Sequence, residues 1–482
     1  MSTGTRQAGC REVNHVGSAL SLRIFRALFS TRGAKLSPMN QQQSNVLFAG
    51  MSAEEVAGVA AVALEAEPRL RTADRSQFLL RPCCLEDLLP LDHEARAVWE
   101  MVCSWDLTRF LATISARGSR PGRAATDPKI LIALWVYAHT QGVGSARELD
   151  RLCEHHDAYR WLCGGVSLNY HTLSDFRVEH EQALDQLLTQ MLAVLIHAGV
   201  VSVWRISQDG TRQRCGAGRN SFKTEATLQE QLKQAQEHVQ ILKAQAQDPN
   251  VSLQRQKAIE RAAREKVQRL QKALVQVQKV AAAKQQQKEK PSKHTPATAS
   301  STDPEARKMK MPDGGTAPAY NVQFGVDTQS RAIVGVEVTN AGNDVEQSKP
   351  LREQVEDRTG QKVHEHLVDG GFIGLEAVDA AAAANATLYA PVPKPRKEGV
   401  DRYQPKSSDT AAQSEWRQRM GTPQAQAIYQ ERCSTSETVN GECKSYRGLG
   451  PLLVRGTGKV RCVALWAALA YNFVHFGRQL IG

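Results

Sequence analysis

Three carboxylates and one ammonium group stand out in this chain by their setting. Glu437 and Lys444 lie in YQERCSTSETVNGECKSYRGL, spaced Tyr429-x2-Arg432-x4-Glu437-x6-Lys444. Seven residues is close to two helical turns, so a helix here puts Glu437 and Lys444 on one face with Asn440 and Gly441 between them. A carboxylate able to hold a metal, beside an ammonium able to hold a phosphate, suits phosphoryl-transfer chemistry on DNA. The pair alone is also ordinary solvated helix surface. Two aspartates upstream add weight: Asp209 in VVSVWRISQDGTR and Asp369 in HEHLVDGGFIG, each after an apolar run and before a glycine. Asp-Gly after a strand is commonly only a turn. Strand ends also lie at a sheet edge, where a site can be built from several segments. The order Asp, Asp, Glu on strand, strand and helix, with Lys444 behind, favours the site.

With these residues in this order, the chain resembles the DDE transposases of bacterial insertion sequences. The resemblance covers roughly residues 76–476 and extends to QDGTRQRCGAG around Asp209, MPDGGTAPAYNVQFGVD at 311–327 and VRGTGKVRCVALWAALAYN at 454–472. Tyr429, Arg432, Glu437 and Lys444 match the family's Tyr-Arg-Glu-Lys signature. The best-known form has three residues between Arg and Glu, and here there are four. Glu442, two residues before Lys444, is a competing carboxylate of lower rank. The resemblance implies a ribonuclease H-like α/β core with a mixed sheet, and Asp209, Asp369 and Glu437 as catalytic and metal-binding residues. Lys444 would then contact a phosphate, with Tyr429 or Arg432 positioning the strand. It also implies double-stranded DNA as partner, at transposon ends and target, and at least a homodimer on it.

Three converging carboxylates repel one another unless cations neutralise them. Two Mg²⁺ ions, hard and oxygen-seeking, meet that need, with Mn²⁺ as a substitute.

The elements that must position these residues are legible in outline. Residues 1–75 read as a leader without fixed structure, with six Lys/Arg and one acid over 1–50. Residues 76–199 read as a helical N-terminal domain that the resemblance makes DNA-binding. Ala95-Val98-Trp99-Val102 and Ile130-Leu131-Leu134-Trp135-Tyr137 have helical spacing, and Asp127-Pro128 opens the second run. The intervening ARGSRPGRAATDP presents Arg117, Arg120 and Arg123, either to DNA phosphates or to solvent. Thr172–Asp175 reads as a helix cap over a core Phe176. The catalytic domain, 200–482, is expected to start with a strand over Val200–Ile206 ending at Asp209.

That domain is interrupted at once. Leu228, Leu232, Ala235, Val239, Leu242 and Ala246 form a heptad seam, and Ile259, Ala263, Val267, Leu270, Leu274, Val277 and Ala281 form another. Asp248-Pro249-Asn250 breaks between them, so 225–290 is expected as an inserted helical (coiled-coil) hairpin. A linker is expected at 291–310. Strands at 319–327 and 332–340 then make a hairpin, followed by a helix at 345–357, the strand ending at Asp369, a helix over Ala377–Ala384, a strand at 386–392 and a polar loop over 393–423. Asp327 and Asp344 read as turn or cap residues.

Composition excludes some classes. The 482 residues are 41% hydrophobic with ten scattered cysteines, which fits a reducing cytoplasm. Cys153, His155, His156 and Cys163 lack the paired spacing of a zinc site. The apolar run Val463–Phe476 is short for a bilayer and contains Asn472 and His475. Net charge is +11, of which 226–293 carries +8 and 1–50 carries +5, leaving the remainder near neutral. Nucleic-acid contact must therefore come from local patches. The alternative readings are a non-catalytic DNA-binding regulator or inactive remnant, a nuclease that cuts without joining, and a coiled-coil scaffold.

Overall fold

The computed structural model describes residues 84–118, 124–244, 253–286, 296–395 and 398–481. Residues 1–75, Arg120, Arg123 and the Asp248-Pro249-Asn250 breaker lie outside them. The strands are β1 (Arg205–Arg214), β2 (Phe222–Lys223), β3 (Ala299–Ser300), β4 (Arg307–Lys310), β5 (Thr316–Asp327), β6 (Ile333–Thr339), β7 (Glu365–Val368) and β8 (Thr387–Tyr389). Six form one mixed sheet in the order β4-β5-β1-β7-β8, with β6 also on β5. β1 runs antiparallel to β5 from Ile206↔Asp327 to Arg214↔Ala319, and parallel to β7 from Arg205↔Glu365 to Gln208↔Val368. β5 is buried from Pro318 to Asp327, polar Asn321 and Gln323 included.

The N-terminal helices are α1 (Glu94–Ser104), α2 (Thr108–Ala112), α3 (Pro128–Thr140), α4 (Ala146–His155), α5 (Asp157–Cys163), α6 (Tyr170–Glu179) and α7 (Glu181–His197). α3 starts as its sequence dictates, with Asp127 accepting from Lys129 N and Pro128 in the first turn. α6 is capped by Asn169, whose side chain accepts from Thr172 N, and Thr172–Asp175 lie inside the helix. Arg117 donates to the Ile114 and Leu111 carbonyls, closing its own turn.

Beyond the sheet's first strand come α8 (Glu225–Ala244) and α9 (Leu253–Gln286), then α10 (Ser348–Thr359), α11 (Leu375–Ala383), α12 (Ala411–Met420), α13 (Pro423–Arg432), a π-helical turn (Cys433–Glu437), α14 (Thr438–Tyr446) and α15 (Thr457–Ile481). α8 and α9 pack side by side through Leu228, Ala235, Leu270, Ala273 and Val277. Gln278 near the end of α9 donates to Glu225 at the start of α8, so the two helices run antiparallel. Ile259, an expected seam residue, is 41% exposed.

α15 is the central core helix. Trp466 Nε1 donates to the Arg177 carbonyl of α6 at 3.0 Å, and Trp135 Nε1 of α3 donates to Leu173 O at 3.1 Å. One apolar cluster thus runs from the N-terminal helices through Val326 and Ile333 of the sheet to α15. The stretch expected as a separate helical domain shares its core with the sheet. By length and composition α15 is the one helix among the described residues that could cross a membrane, yet 78% of its apolar window is buried in the protein.

The first strand is β1, not Val200–Ile206, and it passes through Asp209 without stopping. The expected 291–310 linker holds β3 and β4, the latter paired to β5 with Met309 buried. The polar loop at 393–423 contains α12, started by a Thr410/Gln413 capping box and anchored by buried Trp416 and Met420. Those two apolar residues in a polar stretch give too weak a period to read.

Candidate active site

Asp209 stands on β1 opposite Phe324. The parallel register with β7 ends at Gln208↔Val368, so the next residue of each segment is an aspartate: Asp209 within β1 and Asp369 just past the end of β7. Parallel neighbours are about 4.8 Å apart, and the two negative charges are felt. Burial pushes the Asp209 carboxyl up to about 6; the Arg432 charge pulls it down, Asp369 pushes it up, and bonds from Asn440 and the Gly210 amide pull it down.

The glycine after each aspartate has a different cause. Gly210 is not in a turn. A Cβ there would collide with the Gln323 amide, and would lie 2.6 Å from Asp344 Oδ1 and 2.7 Å from Asn321 Oδ1. Those side chains lie across the strand at this point, and only glycine leaves them room. Asp369, by contrast, does make the local turn: its Oδ1 accepts from Gly371 N at 2.7 Å and caps the short helical turn Gly370–Phe372.

A helical segment is fastened along β1 by three contacts two residues apart on the strand. Arg205 pairs with Glu431 at 2.8 and 2.9 Å, Ser207 Oγ meets Ser436 Oγ at 2.6 Å, and Asp209 Oδ2 accepts from Asn440 Nδ2 at 3.3 Å. Alternate strand residues share a face, and their helical partners lie five and then four apart. The step of five is what a π-turn permits, and Cys433–Glu437 is that turn. It also accounts for the extra residue between Arg432 and Glu437. In an α-helix residues four apart meet; through a π-turn residues five apart do, and Arg432 Nη2 reaches Glu437 Oε1 at 2.6 Å. Arg432 Nη1 lies 3.7 Å from Asp209 Oδ2, and its guanidinium sits 5.9 Å from the Tyr429 ring centre. One cation therefore bridges the first and third carboxylates. Burial opposes its charge, while Tyr429, Asp209 and Glu437 more than offset that and raise its pKa.

Lys444 follows Asn440 by one turn of α14 and is exposed. Glu442 is committed elsewhere, bonded by Arg447 at 2.6 Å and by His475 at 3.0 Å. Asp327 is the turn residue expected, its Oδ2 taking the Ser330 amide and hydroxyl. Asp344 does more than close a turn. Its Oδ1 accepts from Asn321 Nδ2 at 2.5 Å and from Gln323 Nε2 at 2.6 Å. Its Oδ2 lies 3.6 Å from where a Gly371 Cβ would stand, a point 3.0 Å from Asp369 Oδ1, so a fourth carboxylate approaches the pair. The polar alternation in YNVQF was the only sequence trace of this: Asn321 and Gln323 share a face and are buried.

Two family models match. One, described as "Transposase domain (DUF772)", covers residues 83–179, and the other, "Transposase DDE domain", covers 292–473. The second holds Asp369, Glu437 and the signature residues; Asp209 lies between the two spans. No curated protein and no solved structure matches the chain. The match to the DDE domain makes this a transposase- or nuclease-type protein. The chain belongs to the DDE transposases of insertion sequences.

The donor atoms of the site are all hard oxygens, which suits a divalent ion such as Mg²⁺. Asn440 Oδ1, beside Asp209, is buried without a partner among the described residues, and Asp209 itself lacks enough positive charge to keep its ordinary pKa. Among the described residues no three acidic, histidine or cysteine groups converge tightly enough to form a ready cage. Glu437 is tied to Arg432 and makes no hydrogen bond to the pair among the described residues. Of the group Cys153, His155, His156 and Cys163, His156 caps α5 by accepting from Ala158 N, and Cys163 is buried.

Proposed function

We propose that this chain cuts DNA at the ends of an insertion sequence and joins those ends to target DNA by in-line phosphoryl transfer, using a ribonuclease H-like core. The observation that carries the reading is the pair Asp209 and Asp369, side by side at the end of a parallel register, with Arg432, Glu437 and Asn440 laid over them by a helix bolted to the same strand. Asp209, Asp369 and Glu437 would hold two Mg²⁺ ions, or Mn²⁺ in their place. When bound, such ions neutralise the carboxylates and the charge that builds on the phosphorus oxygens.

The chain's own groups supply the rest. Asn440 and the Gly210 amide fix the Asp209 carboxylate, and Ser207–Ser436 fixes the height of the helix above it. Arg432 holds Glu437 and screens it from Asp209. Lys444, exposed one turn beyond Asn440, takes a phosphate next to the cut, and Tyr429 with Arg432 positions the strand. Asp344, held by two amides with its second oxygen on the side of Asp369, stands by as a further oxygen donor. In each step the new P–O bond forms as the old one breaks, and the attacking oxygen's proton ends on the leaving 3′-oxygen or in solvent. Cutting and joining differ only in the nucleophile, water or a DNA 3′-hydroxyl. The helices from α1 to α7 are assigned to end recognition. The working unit is at least a dimer on DNA in a bacterial cytoplasm.

Supplied with Mg²⁺ and a labelled duplex of the terminal sequence flanking its own gene, the chain is expected to cut at the element end, and Glu437→Gln to cut at least about 10³-fold more slowly. Products are read on a denaturing gel. Binding without cutting in both proteins would instead support a non-catalytic regulator or an inactive remnant.

A further inference from the structure

After Arg214 the chain leaves the sheet and enters the α8–α9 hairpin, and a cavity of about 370 Å³ opens where the hairpin meets the core. Lys266 and Arg269 of α9 and Arg455, just before α15, line it, together with Gln231, Gln234 and Thr302. No carboxylate and no aromatic ring lines it. Two other cations of α9 are paired along the helix, Arg264 with Glu260 at 2.5 Å and Arg261 with Glu265 at 3.9 Å. Among the described residues, Lys266, Arg269 and Arg455 have no such ion pair. Asp303, which feels the Arg455 charge, is fully buried with its Oδ1 bonded by the Tyr320 hydroxyl at 2.7 Å.

The cavity's walls are fixed. Ser301 N donates to Ser221 O at 2.9 Å, Ser221 Oγ meets Ser300 Oγ at 2.7 Å, and Ala299 of β3 packs with Leu270 and Ala273 of α9. Three cations converge from two separate elements onto a cleft that offers donors and no base-stacking surface. Such a lining suits consecutive phosphates of a nucleic-acid backbone, with Gln231, Gln234 and Thr302 as further donors to phosphate oxygens. Its place on the chain fits too. Cys215, the residue after β1, is bridged to Leu452, three residues before Arg455. Six residues of strand separate Cys215 from Asp209, about 20 Å, or roughly six base pairs of duplex.

We propose that this cleft binds two or three backbone phosphates of the DNA flanking the cut, without regard to sequence. The inference rests on the DNA-cutting reading above and adds a second DNA-binding site to it.

The test uses the full chain, a fluorescent duplex carrying the element end, and anisotropy titrations between 50 and 200 mM salt. The triple variant Lys266→Ala/Arg269→Ala/Arg455→Ala is expected to bind at least about 30-fold more weakly. Its slope of log K against log salt should flatten by about 2–3, near 0.9 for each phosphate that is no longer neutralised. A scrambled duplex should lose affinity by the same factor. Arg269→Lys, which keeps the charge, should keep the slope. Should the triple variant fail to fold by circular dichroism, Lys266→Gln on exposed surface replaces it, and a slope change of about 1 is expected. A wild type that binds and cuts beside a folded variant of unchanged affinity and slope overturns the cleft alone. A wild type that neither binds nor cuts overturns the underlying reading, and the cleft with it.

Discussion

Asp209→Asn is expected to cut DNA at least about 10³-fold more slowly than wild type, to bind it nearly as well, and to be the more stable protein above pH 6. The first effect follows from removing the one carboxylate that both the helix and the parallel pair address. The last follows from its pKa. Folding raises the Asp209 carboxyl to about 6, above the unfolded value, so the folded state favours the protonated form. Below about pH 4 both states are protonated and the group is neutral to stability. As pH rises through 4 to 6 the wild type loses stability, and above 6 the penalty is complete, on the order of 1–3 kcal/mol. Asparagine carries no such charge and its side-chain oxygen can still accept from Gly210 N, as Asp209 does now at 2.9 Å. Melts of the two proteins should therefore coincide near pH 4 and separate above pH 6. Millimolar Mg²⁺ should raise the wild-type Tm above pH 6 and leave the variant's unchanged. A variant that melts below wild type at pH 8, or that still cuts, would remove Asp209 from the centre of the site.

Asn472→Ala is expected to destabilise the fold by about 2–5 kcal/mol, through a different mechanism. Asn472 is fully buried on α15. Its Oδ1 accepts from Ile333 N and its Nδ2 donates to Ile333 O, both at 2.9 Å. It thus completes the backbone hydrogen bonding of β6 at its first residue. Alanine leaves a buried N–H and a buried C=O without partners, about 1–2 kcal/mol each, and opens a small void costing about 1 kcal/mol. Urea unfolding should show a lower midpoint with an unchanged slope. Cutting at low temperature should persist, since β6 reaches the carboxylates only through β5. An unchanged midpoint would mean that solvent or a neighbour replaces both bonds.

Asn472 also shows what the sequence could and could not tell. In the sequence it is a polar interruption that argues against a membrane span; only the fold gives it a partner, and the apolar run around it extends into a 25-residue helix. The catalytic candidates were legible because acid identity and order survive in one dimension. The cause of each Asp-Gly step was not. One glycine makes room for Gln323, Asn321 and Asp344 across a continuous strand, and the other belongs to a real turn. Nothing local distinguishes them.

The π-turn was hidden for a related reason. Four residues between Arg432 and Glu437 read as a departure from the signature until the helix widened to accept them. Asp344 reads as a turn residue, and its main chain does accept the Gln347 amide; its carboxylate gains a second task only when β5 brings Asn321 and Gln323 beneath it. Strand β4 and helix α12 escape sequence reading because each buries very few apolar residues in a polar stretch, and tertiary packing supplies what periodicity lacks.

A site that transfers phosphoryl groups between DNA strands must join as well as cut. Purified chain, Mg²⁺, a duplex ending in the element's free 3′-hydroxyl and a supercoiled target plasmid should yield plasmid covalently joined to the labelled duplex. In that product a bond from the 3′-oxygen to a target phosphorus has formed as the target strand's own P–O bond broke. Wild type should give the joined species, and Glu437→Gln should give none while still binding the duplex. Binding without joining by wild type, or equal joining by both proteins, would contradict the assignment.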